Sequence, residues 1–274
     1  MQGPLVAVLS DEEMIREAVR IVEAAQKRGI ILRILGAIAI RLHSAGHEEF
    51  HSRLGRLGDA GKSFTDIDLV GYSSQYGEIR KLMERELSFR ISPQFLLLHG
   101  RERLLYNHPE NLYHVDIFFD KLAFSHDIPF GKMGNGRLEL DYPTITVTDL
   151  LLEKLQIHEI NEKDVKDIIV LLRAHQLGHG DEDQVNLDYL AKLLGDDWGF
   201  WKDATDNLRK TLSFAEKYRG SGLISAEDYR EIEEKVAHLI NVLESCPKTR
   251  RWHDGAKQVE KKKKYWRDVE EVYR

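Results

Sequence analysis

The distribution of apolar residues predicts an α+β protein, with a mixed β-sheet flanked by helices over residues 1–145 and an all-α region over 146–274. Three observations lead there. Short runs rich in β-branched residues, at 30–35, 66–70 and 112–119, read as strands and alternate with segments of helical period. After Pro143 these runs give way to long stretches whose apolar residues recur three and four apart. No repeat of fixed period links the two halves, so they read as separate architectures.

Each element has a local cause. Ser10-Asp-Glu-Glu13 spells a capping box; Met14, Ile15, Ala18, Val19 and Val22 follow at helical spacing, and Gly29 is the stop. Residues 30–35 form a strand that ends at Gly36, and 37–44 turn helical. Residues 45–63 hold four glycines and many charges and read as loop. A strand is expected at 66–70, an amphipathic helix at 75–87, and strands at 95–98 and 103–106. Asn107-His-Pro-Glu-Asn111 is a turn before the strand at 112–119. The loop 131–136 precedes a short strand at 137–140. Helices follow at 149–157, 162–176, 187–194, 197–217, 226–244 and 256–273, with Ser225-Ala-Glu-Asp228 as another cap-like start.

Composition narrows the function. The 274 residues are 42% hydrophobic, enough for a substantial core, and the net charge of −6 argues against a uniformly basic nucleic-acid binder. The charge is uneven. Residues 248–267 carry nine Lys and Arg against two acids, net +7, which leaves −13 for the remainder. The single cysteine, Cys246, excludes an internal disulfide and a cysteine zinc cage. Met-Gln-Gly-Pro-Leu lacks the basic start and apolar core of a signal peptide, and no apolar stretch is long enough to span a membrane. A cytoplasmic protein is expected.

The chemistry centres on Phe64-Thr-Asp-Ile-Asp-Leu-Val70. Strand alternation places Asp66 and Asp68 on one face. Paired carboxylates suit a hard divalent cation, Mg²⁺ or Mn²⁺. Asp116, in His114-Val-Asp-Ile-Phe-Phe119, would complete a three-carboxylate metal site from a neighbouring strand. In nucleotidyl transfer one ion activates the attacking oxygen, and a second, about 3.5–4 Å away, eases departure of pyrophosphate. Clustered acids repel one another and call for a cation. The plainer alternative is that Asp-Ile-Asp marks a strand end.

The order of these motifs resembles the minimal nucleotidyltransferases of the DNA polymerase β-like superfamily. Leu35-Gly-Ala-Ile-Ala-Ile-Arg-Leu-His43 is similar to the turn-and-helix start of AbiEii-like members. Leu150-Leu-Leu-Glu-Lys-Leu-Gln156 and Asn161-Glu-Lys-Asp-Val-Lys-Asp167 are similar to two helices of that group, and the resemblance spans roughly residues 30–178. It implies a nucleotidyltransferase-like sheet and a Mg²⁺-dependent enzyme that moves a nucleoside monophosphate from an NTP to an acceptor. It implies that Gly36 and Ala37 line a phosphate pocket and that Lys154 contacts the triphosphate. Asp164 or Asp167, three apart on one helix face, would orient or deprotonate the acceptor. Ser63 or Thr65 is a candidate hydroxyl for the pocket. AbiEii-like proteins are toxins of toxin–antitoxin pairs, some modifying tRNA ends, so the resemblance also implies an antitoxin partner and an RNA, protein or small-molecule acceptor. Two features depart from the family. Ala37 stands where Ser or Gly is usual, and 29 residues separate Gly36 from Asp66. They leave a catalytically degenerate nucleotide-binding or interaction module as the second reading.

Two other segments compete. His47-Glu-Glu-Phe-His51 fits His-Glu-x-x-His, in which two histidines one turn apart bind Zn²⁺ and Glu48 acts as base. His43 lies four residues earlier, and Glu78 is a candidate third ligand. Gly46 before the motif and Gly55, Gly58 and Gly61 after it suit a loop with solvent-facing histidines better. In the tail, Lys248, Arg250, Arg251, Lys257 and the lysines at 261–264 interleave with Trp252, Tyr265 and Trp266. Cations for phosphates and rings for bases would make an RNA surface. The alternative is a terminal helix with lysines on its wet face and Trp266 in a core.

Overall fold

A computed structural model of the chain describes residues 9–57, 63–261 and 263–268, without the side chains of 259 and 260. In chain order the first elements are α1 (Asp11–Gln26), β1 (Leu32–Leu35), α2 (Gly36–His43), α3 (Glu48–Leu54), β2 (Asp66–Gly71), α4 (Tyr76–Lys81), β3 (Arg90–Ile91), α5 (Pro93–His99), β4 (Arg103–Asn107) and β5 (His114–Phe119). Then come β6 (Lys121–Ala123), β7 (Asp127–Pro129), α6 (Val147–Leu155), α7 (Glu162–Ala174), β8 (Gln176–Gly178), β9 (Gln184–Asn186), α8 (Leu187–Leu194), α9 (Trp198–Gly220), α10 (Ala226–Ser245) and α11 (Arg250–Glu260). The architecture is α+β, with a mixed five-stranded sheet followed by helices. The chain divides into two compact units. One takes residues up to Leu42 together with Leu57–Lys121 and Pro129–Ile145; the other takes His43–Arg56, Leu122–Ile128 and the chain from Thr146 on.

The first unit is built on the sheet β1-β2-β5-β4-β3. Only β2 and β5 run parallel; the other neighbours are antiparallel. Alternation gives the sheet two unlike faces. Ile67, Leu69, Val115, Ile117, Leu104 and Tyr106 point into the core and are fully buried. Asp66, Asp68, Arg103 and Leu105 take the intervening positions and are only half-buried. Helix α1 starts as expected: Ser10 Oγ accepts the Glu13 N–H at 3.2 Å, and Glu13 accepts the Ser10 N–H at 2.8 Å. It buries Met14, Ala18, Ile21, Val22 and Ala25, and the larger of these contribute about 1.5–3 kcal/mol each.

In the second unit α6 is buried along its whole length, and α7, α9 and α10 carry the other long apolar stripes. Helix α7 stops at His175, which turns to extended backbone. The Lys235 ammonium caps that end by donating to the Leu172 and His175 carbonyls, each at 2.8 Å. Strands β8 and β9 then pair in parallel.

Several local expectations are corrected. Residues 95–98 are helical, within α5, because Ser92 caps the Phe95 N–H and Pro93 sits at the first helical position; Leu97 and Leu98 end up on the surface. Residues 137–139 form a 3-10 turn rather than a strand. The expected loop 45–63 contains α3, and its residues 58–62 lie outside the described residues. The last described helix begins at Arg250, not 256, and ends at Glu260; residues 261 and 263–268 are not helical as expected, while Lys262 and 269–273 lie outside the described residues. Among the described residues no helix is long and apolar enough to cross a membrane.

Candidate functional site

The parallel pairing of β2 with β5 decides the geometry of the acids. It sets Asp68 opposite Asp116 and Asp66 opposite His114. Residues opposite each other on neighbouring strands share a face, so Asp66, Asp68 and Asp116 project to one side of the sheet. Asp116 is almost fully buried and is gripped by Arg103 from β4. Nε donates to Oδ1 at 2.6 Å, and Nη2 donates to Oδ2. Burial alone would lower the Arg103 pKa. The Asp116 hydrogen bonds and the charges of Asp116, Asp68 and Asp66 outweigh it and raise the pKa above the ordinary arginine value. One guanidinium therefore feels all three carboxylates. Sequence reasoning missed Arg103; its place beside buried Leu104 and Tyr106 in an alternating strand was the available signal.

Gly36 sits where β1 turns into α2, with φ +71. A Cβ built there would lie 2.8 Å from Asp68 Oδ2, so the glycine both permits the left-handed turn and lets the main chain reach the carboxylate. Ala37 follows half-buried in the first turn of α2. Thr65 Oγ1 donates to Asp66 Oδ1 at 3.0 Å. The donor set of Asp66, Asp68 and Asp116 is all hard oxygen on one face, which fits Mg²⁺ or Mn²⁺; Arg103 already uses one lone pair on each Asp116 oxygen.

Lys154, Asp164 and Asp167 belong to the second unit and form a buried charge cluster there. Lys154 Nζ lies 3.0 Å from Glu153, 3.4 Å from Asp164 and 3.5 Å from Asp167. Arg56 adds a second cation, with Nε 2.9 Å from Asp167 Oδ1. Burial pulls the Lys154 pKa down, but Glu153, Asp167 and Asp164 lift it above the usual lysine value, so the ammonium stays charged. Asn161 caps α7 at the Asp164 N–H, which fixes the acid's position.

The His-Glu-x-x-His segment is not a zinc-protease helix. His47 is the N-cap of α3 and stands outside its regular turns, and His51 is buried rather than solvent-facing. Glu78 lies in α4 of the other unit. The histidine that acquires metal-like company is His43, beside His175 and Asp183. Burial lowers the His175 pKa, with His43 and His47 adding to the effect against Asp183, which raises it.

The tail's rings face its own unit. Trp266 stacks on His158 with centroids 3.7 Å apart, Trp252 meets Trp201 at 5.3 Å, and Tyr265 meets Trp198 at 5.2 Å. Arg251 pairs with Asp196 at 2.9 Å. Trp266 lies beyond the end of α11 and is half-buried, so it is neither on a terminal helix nor in a core.

No protein-family model matches the chain, and no curated protein matches it. Among solved structures it is similar to the crystal structure of an antigenic nucleotidyltransferase-like protein from Paracoccidioides brasiliensis, with a TM-score of 0.41 and 14% identity over 89% of this chain and 97% of that chain.

Proposed function

We propose that the protein is a nucleotidyltransferase that transfers a nucleoside monophosphate from an NTP to an acceptor, with Asp66, Asp68 and Asp116 as its metal-holding acids. The observation that carries this reading is the register of β2 against β5, which gathers the three carboxylates on one half-open sheet face. Mg²⁺ or Mn²⁺ held there would supply the charge that offsets the triphosphate and the leaving pyrophosphate. The chain's own groups prepare that step. Gly36 keeps the strand end free of a Cβ beside Asp68, and Arg103 holds the Asp116 carboxylate in place. Main-chain N–H groups at the start of α2, from Ala37 on, offer donors to phosphate oxygens. Lys154 and the acid pair Asp164 and Asp167 are assigned to the triphosphate and the acceptor on the family resemblance, and the toxin-like role with an antitoxin partner rests on the same ground.

The test is incubation with each α-labelled NTP, Mg²⁺, cell RNA and lysate. Label should pass to RNA, to protein or to a small molecule, and the Asp66→Asn, Asp68→Asn double variant should lose it at least ~100-fold. Labelling that survives the double variant would refute the assignment of these acids.

One observation favours a second reading, a degenerate nucleotide-binding module. The Arg103 guanidinium already stands on Asp116 in the manner of a built-in counter-ion. Calorimetry separates the two: NTP binding without pyrophosphate release supports the module.

A further inference from the structure

We propose that the second unit carries a transition-metal site, best matched to Zn²⁺, held by the imidazoles of His43 and His175 and the carboxylate of Asp183. One ligand atom from each of the three lies within 4.8 Å of the others. Zinc bonds of about 2.0–2.1 Å in a tetrahedron separate ligands by about 3.3 Å, so closure asks for side-chain adjustment rather than a new backbone path.

His175 is the fixed member. Its N–H donates to the Leu171 carbonyl at 3.1 Å, its own carbonyl accepts Lys235, and the residue is 3% exposed. Nδ1 faces Asp183 Oδ1 at 3.1 Å, while the buried Nε2 has no hydrogen-bond partner. That 3.1 Å gap is close to the separation of two ligands on one zinc ion, so Nδ1 and Oδ1 are the pair that would share the metal.

Asp183 is the accessible member. Its side chain is 78% exposed at the end of the segment between β8 and β9, open to an incoming ion. The His43 ring meets that of His175 edge-on, with centroids 5.7 Å apart. Two imidazoles and a carboxylate select Zn²⁺ over Mg²⁺, which prefers oxygen alone. The ion would join His43 to His175, 132 positions later.

The experiment is calorimetric titration of the chelator-treated full chain with Zn²⁺, in excess Mg²⁺ to occupy oxygen-only sites, with the melting temperature followed in parallel. One equivalent should bind and the melting temperature should rise. Asp183→Asn and His43→Gln should each weaken binding at least ~10-fold, while His179→Gln, an exposed ring paired with Asp188, should leave it unchanged. Absence of stoichiometric binding overturns the proposal. So does wild-type affinity in Asp183→Asn and His43→Gln proteins whose circular dichroism matches the parent.

Discussion

Each unit holds a group of three carboxylates, and the two groups differ in burial and in the cations that face them. Around Arg103 the acids stand on a sheet face, with Asp66 and Asp68 half-buried and Asp116 deep. Around Lys154 all three acids, Glu153, Asp164 and Asp167, are buried, and Arg56 joins the lysine. The same residue types thus serve two ends. A closed cluster with two cations is an internal ionic core, where loss of one partner strands the others in low dielectric. On the sheet face, Asp66 and Asp68 are half-buried and so within reach of a further cation.

The comparison can be broken from its strongest side first. Lys154→Met removes the ammonium from among three buried acids, and denaturant unfolding should show a loss of about 3–5 kcal/mol. Arg103→Met should destabilise less, by about 2 kcal/mol, because the guanidinium edge is partly exposed although Asp116 is left without its bidentate partner. Here the two clusters diverge. Millimolar Mg²⁺ should restore part of the Arg103→Met loss by binding the native state, and none of the Lys154→Met loss. Equal insensitivity of both variants to Mg²⁺ would erase the distinction drawn above.

Gly36→Ala should cost about 1–2 kcal/mol from the left-handed backbone. Its Cβ also presses on Asp68, so Mg²⁺ affinity should fall along with stability; a stability loss with unaltered affinity would separate the glycine from the acid site. The mildest probe is pH. Although burial acts to raise it, the Arg173 and Ser225 hydrogen bonds hold the Asp228 carboxyl below the usual aspartate value. A depressed folded-state value means the unfolded chain binds the proton more readily. The contribution is therefore complete above the unfolded value of about 3.8 and is lost as pH falls through the lower folded one. Urea unfolding from pH 6 down to pH 2 should show this loss, and Asp228→Asn should flatten it.

What the chain declared locally was read correctly where a single period or cap dominated. The Ser10 and Ser225 caps, the alternation at 66–70 and 114–119 and the stripes of α7 through α10 all express nearest-neighbour chemistry. The misreadings came where two local signals competed. Phe95–Leu98 looks β-rich, yet Ser92-Pro93 starts a helix there, and the glycines around 45–63 masked the seven residues of α3.

The sequence by itself determined that Asp66 and Asp68 share a face, because strand geometry has a period of two. It also determined the α+β class, because most of the long elements carry their own hydrophobic pattern. Only the tertiary structure decided that Asp68 meets Asp116 in register, that Arg103 grips Asp116, and that His43 finds His175 and Asp183. These are contacts between residues 13 to 140 positions apart, fixed by strand pairing and helix packing, and no local pattern encodes the partner of a side chain at such a distance.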